Sequence, residues 1–310
     1  MLGPARYIAD FARFAAAKPA QERRDAETLR ELEAAAVALP PGLQLQWLGV
    51  SGLRMSYEGH TLLIDPYFSR VPLSAVLRRR PAIPDPRLID RFLPSPGTVV
   101  GVLVGHTHFD HAVDAPAIAK RFGAPALGSH SLAVLMHLHG AGELATEVEP
   151  YRRYELGPFT VSFTPSLHSK LVLGRAVPFD GELCCEHLDA LAPSAYRCGQ
   201  VWGIRTEVAG ASFYHQGSAN LIDEAIREPE VDFFLAGVAG RGFTRDYWRR
   251  ILHRLSPHTV IPTHYDDFFR PLEAPMGFTT NVHLARIPEE IEAVSADVQV
   301  VALPLLQEAP

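Results

Sequence analysis

Three histidines and an aspartate fall within six residues, in a segment that directly follows an apolar run. His106 and His108 are two positions apart, so in an extended chain their imidazoles point to the same side. Asp110 and His111 follow where the chain turns toward the next predicted helix. Imidazole and carboxylate ligands in this combination suit zinc, iron or manganese better than calcium, which takes oxygen ligands. The spacing therefore predicts a metal centre that could serve two neighbouring cations.

The pattern H-x-H-x-D-H resembles the signature of the metallo-β-lactamase-fold hydrolases, and the resemblance extends over roughly residues 43–305. Residues 62–66 resemble the family's first motif, a strand that ends in a structural aspartate, here Asp65. Residues 164–169 and 260–265 resemble the third and the last motif. The resemblance implies two sets of metal ligands, the first made of His106, His108 and His168 and the second of Asp110, His111 and His264.

One position departs from the family pattern. The fourth motif normally ends in Gly-Asp, whose carboxylate bridges two metals, but here Ser218 follows the glycine. A neutral hydroxyl is a poor bridging ligand, so we expect the second ion to be held more weakly or differently, and a site for a single ion stays open. His215 and Asp266 are candidates for a compensating ligand or a supporting residue, although His215 is equally consistent with a buried strand histidine.

The resemblance also implies a reaction. A bound metal lowers the pKa of water toward neutrality, and the hydroxide attacks a carbonyl or phosphorus centre. Asp110 is the predicted catalytic residue, which orients that hydroxide and passes its proton onward. Zn²⁺ is the expected cofactor, as one or two ions, with Mn²⁺ or Fe²⁺ as alternatives. Arg241, after a predicted strand, is a candidate substrate contact.

Two segments resemble one branch of the family in particular. Residues 47–49 read Trp-Leu-Gly and residues 64–66 read Ile-Asp-Pro, as in sugar-phosphate lactonases and N-acyl-phosphatidylethanolamine phospholipases D. This resemblance implies a small-molecule or lipid-like substrate with an ester, lactone or phosphodiester bond. The alternative, suggested by Ser218, is a catalytically weak or inactive protein that uses the same fold for ligand binding or as a structural partner.

The predicted elements form two strand-rich halves, each followed by helices. This order predicts an α/β fold with two mixed β-sheets between helix layers, and the resemblance implies the αββα four-layer sandwich of the metallo-β-lactamase fold. We expect an N-terminal helical arm over residues 1–40, with a helix at 5–38, and a hydrolase domain over 41–310. The arm either packs on the domain or mediates a homodimer.

Several connecting segments carry their own predictions. The proline- and arginine-rich residues 66–97 are predicted to be a long loop or lid, and residues 166–200 a second irregular insertion. A helix is expected over 115–122 with Asp114 as its N-cap, and another over 219–227. The arginines of residues 66–91 either bind a substrate phosphate or carboxylate or form a solvated surface.

Composition limits the function classes. The chain has 310 residues, of which 47% are hydrophobic and 21% charged, as in a soluble globular protein. A formal net charge of −6 gives no general attraction for nucleic acid. Three cysteines do not form a disulfide framework, and no apolar run approaches the roughly 20 residues of a transmembrane helix. We therefore expect a cytoplasmic protein with no transmembrane segment and no nucleic-acid partner.

Overall fold

The computed structural model describes residues 4–172, 174–280 and 282–309, and the side chains from residue 18 onward. Its strands form two mixed sheets, one of six strands and one of seven. The strands of the first sheet, β1 to β6, span Gln44–Gly49, Gly52–Tyr57, His60–Ile64, Thr98–Leu103, Ala126–Gly128 and Ala145–Glu147. Those of the second, β7 to β13, span Arg153–Leu156, Phe159–Ser166, Val201–Val208, Ala211–Gln216, Phe233–Gly237, Thr259–Thr263 and Gln299–Val300.

Eight α-helices lie within the described residues. Helices α1 to α8 span Pro4–Glu33, Leu73–Arg78, Pro86–Phe92, Phe109–Ala112, Ala115–Phe122, His130–Leu138, Tyr247–Leu255 and Ile287–Glu292. Among these residues, no helix combines the length and the apolar character that crossing a bilayer requires.

Each sheet begins with antiparallel pairs and ends with parallel ones. In the first sheet β1, β2 and β3 pair antiparallel, and β3 to β6 pair parallel. In the second sheet β7 to β10 pair antiparallel, and β10 to β13 pair parallel. Since β9 runs opposite to both of its neighbours, β8 points the same way as β10 and β12. The carboxyl ends of these three strands therefore lie at one edge of the sheet.

Alternating side chains along the strands build two hydrophobic clusters. One cluster lies between the sheets and continues to α7, for example through Trp47, Phe163 and Ile251. The other joins the opposite face of the first sheet to α4, α5 and α6, for example through Val102 and Ile118. The layers are thus helices, sheet, sheet, helices, which confirms the predicted αββα sandwich. Burial of these apolar faces against each other is the main driving force for this arrangement.

The described side chains of the N-terminal arm lie against the domain. Leu29 and Leu32 are buried in the inter-sheet cluster. Asp25 accepts a hydrogen bond from the backbone N–H of Ala285 at 2.9 Å, and Ala302 N donates to the Leu32 carbonyl at 3.1 Å. These contacts favour packing for this part of the arm. A boundary near residue 40 and a homodimer stay predictions.

Some local predictions were wrong, each for a physical reason. The helix expected over 219–227 is only a 3₁₀ turn at Asp223–Ala225. The Ser166 hydroxyl bonds the Asn220 carbonyl, and Arg250 bonds the Leu221 carbonyl. These side chains therefore occupy backbone acceptors that a helix would use. The first helix ends at residue 33 rather than 38, and the loop at 66–97 contains α2 and α3.

Asp114 occupies the N-cap position of α5 as predicted, but its side chain makes no capping hydrogen bond there. Its carboxylate instead accepts hydrogen bonds from the backbone N–H groups of Phe68 and Ser69, at 2.6 and 2.8 Å, and from the Ser69 hydroxyl. Asp114 thus fixes the start of the 66–97 segment against α5.

Candidate metal centre

The sequence motifs meet where strands of the two sheets end. His106 follows β4, His168 follows β8 and His264 follows β12. Backbone hydrogen bonds join the two sheets at this edge: Trp202 N donates to the Gly105 carbonyl at 2.8 Å, and His264 N donates to the Val50 carbonyl at 2.7 Å. Rigid strand ends therefore position the side chains.

The first ligand group consists of His106, His108 and His168, all of which are buried. Each offers a ring nitrogen, and these atoms lie within 4.8 Å of one another. His108 donates from Nε2 to the Pro178 carbonyl at 2.8 Å, and His168 donates from Nδ1 to the Ser169 carbonyl at 2.7 Å. One nitrogen of each ring is thereby fixed and the other remains available, as in protein metal sites.

The surroundings of His106 indicate whether a metal ion fits this ligand group. Neither of its ring nitrogens has a hydrogen-bond partner among the described residues, although the side chain is buried. Burying an imidazole in this way is costly unless something else satisfies it. A cation bound by His106, His108 and His168 together would give a His106 ring nitrogen the partner that it lacks. The residues present therefore fit a metal ion.

The protonation states agree with ligand roles in the first group. Burial lowers the pKa of His106, and it lowers the pKa of His108 to about 4 and of His168 to about 3. The three rings are therefore neutral at pH 7. Since a metal binds the neutral imidazole, no proton competes for these nitrogens under physiological conditions.

The second ligand group consists of Asp110, His111 and His264, whose ligand atoms also lie within 4.8 Å of one another. The Asp110 Oδ2 atom is 3.3 Å from His264 Nε2 and 3.7 Å from His111 Nε2. Burial alone would raise the pKa of Asp110, but the neighbouring His111 and His264 outweigh it and lower that pKa. Burial opposes the charge of His111, yet Asp110 and Asp65 raise its pKa overall.

The Asp65 carboxylate lies behind the second ligand group and accepts three hydrogen bonds. Its Oδ2 accepts hydrogen bonds from His111 Nδ1 at 2.8 Å and His215 Nε2 at 3.1 Å, and its Oδ1 accepts from Gly105 N at 2.7 Å. Burial acts to raise the pKa of Asp65, but the interactions with His111 and His215 hold it at about 2. The ionised carboxylate therefore turns His111 so that Nε2 faces Asp110.

His215 lies in β10 behind Asp65 and outside both ligand groups. Of the two roles considered for His215, the structure favours the supporting residue over the direct ligand, because its Nε2 is engaged by Asp65. Gly217 completes this packing, since a Cβ there would lie 2.9 Å from the Asp65 carboxylate and 3.0 Å from the His111 ring. A side chain at position 217, directly after β10, would therefore crowd Asp65 and His111.

Ser218 is buried beside the first group. Its hydroxyl accepts a hydrogen bond from the backbone N–H of Ser169 at 3.1 Å. Ser218 therefore anchors the residue after His168, and the structure provides no carboxylate at that position.

Asp266 and Arg241 are both engaged elsewhere. Asp266 forms a buried ion pair with Arg70 at 2.8 Å and accepts from Val50 N at 2.8 Å, so its carboxylate is engaged outside both ligand groups. Arg241 is buried and binds Glu290, at 2.7 and 3.2 Å, and the carbonyls of residues 282 and 283. The guanidinium of Arg241 thus links the segment after β11 to α8, and its role as a substrate contact stays a prediction that these contacts do not favour.

Sequence reasoning missed the contribution of the 166–200 insertion. The carbonyl of Pro178 orients His108, and the Phe179 ring lies 6.4 Å from the His108 ring. Thr107 N donates to the Cys198 carbonyl at 2.9 Å, which ties the insertion to the metal motif. A backbone carbonyl leaves no signal in residue type, so only the fold could identify it.

Comparisons with known proteins agree with this geometry. A family profile described as a beta-lactamase superfamily domain matches residues 44–264. A UPF0173 metal-dependent hydrolase of Methanopyrus kandleri is 26% identical over 266 residues, which cover 84% of this chain and 96% of the relative.

Two solved structures share the fold. The metallo hydrolase Igni18 from Ignicoccus hospitalis superposes with a TM-score of 0.50 at 17% identity, over 86% of this chain and 97% of that one. The diiron β-hydroxylase CmlA from Streptomyces venezuelae superposes with a TM-score of 0.56 at 14% identity, over 87% of this chain and 54% of that one. At these identities the likeness shows the fold alone.

Proposed function

The chain belongs to the beta-lactamase superfamily, and we propose that it is a metal-dependent hydrolase of the metallo-β-lactamase type. The observation that carries this proposal is the pair of buried ligand groups at one sheet edge, His106 with His108 and His168, and Asp110 with His111 and His264. The name of the Methanopyrus kandleri relative supports the same reaction class.

We propose Zn²⁺ as the cofactor, with Mn²⁺ or Fe²⁺ as alternatives, because the donors are five imidazoles and one carboxylate. The first ligand group would hold one ion and the second another. When bound, the metal supplies an acidified water and polarises the oxygen of the scissile bond.

The protein's own residues perform the remaining steps. Asp110, ionised beside His111 and His264, would orient the attacking water and accept its proton. Asp65 keeps His111 in the orientation that leaves its Nε2 facing inward. The Pro178 carbonyl does the same for His108. Fixed side chains of this kind need no reorganisation during the reaction.

We propose an ester, lactone or phosphodiester of a small apolar or lipid-like molecule as the substrate. Apolar side chains flank both ligand groups: the Phe268 ring lies 5.7 Å from the His264 ring, and Phe179 lies beside His108. Leu167 and Leu171, on either side of His168 in the chain, are exposed. These residues would bury the apolar part of a substrate next to the metal.

A panel of esters, lactones and phosphodiesters with apolar and with charged substituents tests this proposal. We expect hydrolysis of an apolar member that disappears in His108→Ala, because this variant loses one ligand of the first group. His187→Ala, an exposed histidine of the insertion, is the matched control and should keep full activity. Hydrolysis that survives in His108→Ala would contradict a metal-dependent reaction.

Ser218 is the observation that favours the second candidate, a binding protein with weak or no catalysis. Ser218→Asp separates the two candidates. If the native protein is an enzyme limited by weak second-ion binding, the variant should bind that ion at least tenfold more tightly and turn over faster. Tighter metal binding with no turnover on the panel would favour the binding protein.

We also propose a cytoplasmic location. Cys184, Cys185 and Cys198 are all free thiols, and unpaired thiols are typical of a reducing compartment.

A further inference from the structure

Residues 73–83 present apolar and cationic side chains that the metal centre does not use. Leu73 and Leu77 are four positions apart on α2, so they share one helix face, and they are 48% and 75% exposed. Arg78, Arg79 and Arg80 follow, all exposed. We call this surface, completed by the 53% exposed Ile83, the basic–apolar patch.

The patch is held in place by its backbone. Arg79 ends α2 in a left-handed conformation, and Arg80 N donates to the Ala75 carbonyl at 2.9 Å. Ala82 N donates to the Leu191 carbonyl at 2.8 Å, and the Tyr196 hydroxyl donates to the Ala82 carbonyl at 2.6 Å. Ala75 and Ala82 are themselves buried. The exposed side chains therefore project from an anchored segment.

The three arginines carry uncompensated charge. Within the described part of the chain, none of their guanidinium groups forms a hydrogen bond or ion pair with a carboxylate, whereas Arg91 binds Glu273 at 3.1 Å. Two acidic residues that follow the arginines in the chain are engaged elsewhere, since Asp85 accepts a capping hydrogen bond at the start of α3 and Asp90 forms an ion pair with Arg121. Asp189 lines the same cavity as Ile83 and is a single carboxylate beside three arginines. Three adjacent positive charges thus stand out on a chain whose formal net charge is −6.

A surface cavity of about 660 Å³ adjoins the patch. Its lining is mostly apolar and includes Ile83, three prolines and Leu188, which is 39% exposed. The apolar surface therefore continues from Ile83 into a recess. Exposed apolar side chains concentrated in one short segment, beside a mostly apolar recess, are typical of an interaction site.

We propose that the basic–apolar patch docks this protein onto an anionic lipid surface. Leu73, Leu77 and Ile83 would enter the boundary between headgroups and acyl chains, and the arginines would bind the phosphates above it. Apolar insertion and attraction between cationic side chains and anionic lipids are the two forces that bind peripheral proteins to membranes. An RNA would engage the arginines but offers no apolar layer for the leucines.

Sedimentation of the full-length protein with vesicles tests this inference. We expect binding to phosphatidylcholine vesicles that contain about one third phosphatidylserine, weak binding to pure phosphatidylcholine, and loss of binding as salt screens the charges. R78E/R79E/R80E should lower the partition coefficient more than tenfold, since each arginine near an anionic surface contributes substantially. Leu77→Ser should lower it severalfold.

Matched controls lie on the opposite helix layer. R245E/R249E/R254E makes the same change in net charge at exposed arginines in and near α7, and Val294→Ser removes another exposed apolar side chain. Both control variants should bind to the vesicles like the native protein.

Absence of binding to anionic vesicles, or an equal loss in the control triple variant, would overturn the inference. So would binding to heparin or RNA without binding to vesicles. Because metal content is measured separately, failure here leaves the proposed hydrolase unaffected.

Discussion

At the scale of single residues, the hydrogen bonds behind the ligands decide how well the second ion is held. His215 Nε2 and His111 Nδ1 both bond Asp65 Oδ2. We predict that His215→Leu weakens binding of the second ion by about 10- to 100-fold, the usual effect of removing such a partner. Among the described residues no hydrogen bond joins His215 to the first ligand group, so the first ion should be retained. Calorimetric titration of the metal-free protein with Zn²⁺ measures both affinities.

The conservative variant distinguishes positioning from simple packing. His215→Gln keeps an N–H donor that can reach Asp65, so it should restore most of the second-ion affinity. If His215→Leu and His215→Gln bind both ions like the native protein, Asp65 does not depend on His215 to orient His111.

At the scale of elements, Asp114 links the 66–97 segment to α5. Burial raises the pKa of its carboxyl to about 6, although the Ser69 and Phe68 hydrogen bonds act against this. Between about pH 4 and pH 6, the folded protein therefore keeps a proton on Asp114 that the unfolded chain, with an ordinary aspartate pKa near 4, has lost. The contribution of Asp114 to the free energy of unfolding is fully present below about pH 4 and is lost as the pH rises through about 6.

We predict that Asp114→Asn removes this part of the pH dependence. The amide oxygen of asparagine can still accept hydrogen bonds from the backbone of residues 68 and 69, but it does not titrate. Urea unfolding at intervals between pH 4 and 7 should show a flatter profile for the variant. Asp189→Asn, at an exposed site, should keep the native profile. An unchanged slope in Asp114→Asn would show that another group titrates in this range.

The elements also show how far the sequence could predict the structure. The strands that precede His106, His168 and His264 were predictable because each is an apolar run followed by a motif. Strands β5, β6 and β7 have only three or four residues, which is too short for an alternating pattern to predict them. The role of Arg241 could not be predicted, since Glu290 lies 49 positions away in sequence and only the fold places them together.

At the scale of the whole molecule, one buried ion pair connects the 66–97 segment to the end of the second sheet. Arg70 binds Asp266 at 2.8 Å, and both side chains are nearly inaccessible. We predict that Arg70→Met lowers the free energy of unfolding by about 3 kcal/mol, because it leaves a buried carboxylate without its partner. Chemical denaturation measures this loss.

Two further variants test the reason for that loss. R70M/D266N should recover part of the stability, since the asparagine oxygen can still accept from Val50 N without a charge. Arg91→Met, which removes an exposed pair with Glu273, should cost less than about 1 kcal/mol. Equal losses for Arg70→Met and Arg91→Met would contradict the importance of burial for the Arg70–Asp266 pair.

Metal content per chain is the most direct test of a metal-dependent hydrolase. Elemental mass spectrometry on tag-free protein, purified without chelators and then incubated with zinc, manganese or iron, gives the number. We predict one tightly held ion that His106→Ala abolishes, and a second, weaker ion that binds on titration because Ser218 supplies no bridging carboxylate. If the chain binds none of these metals, the assignment of both ligand groups and the proposed metal-dependent hydrolysis are contradicted.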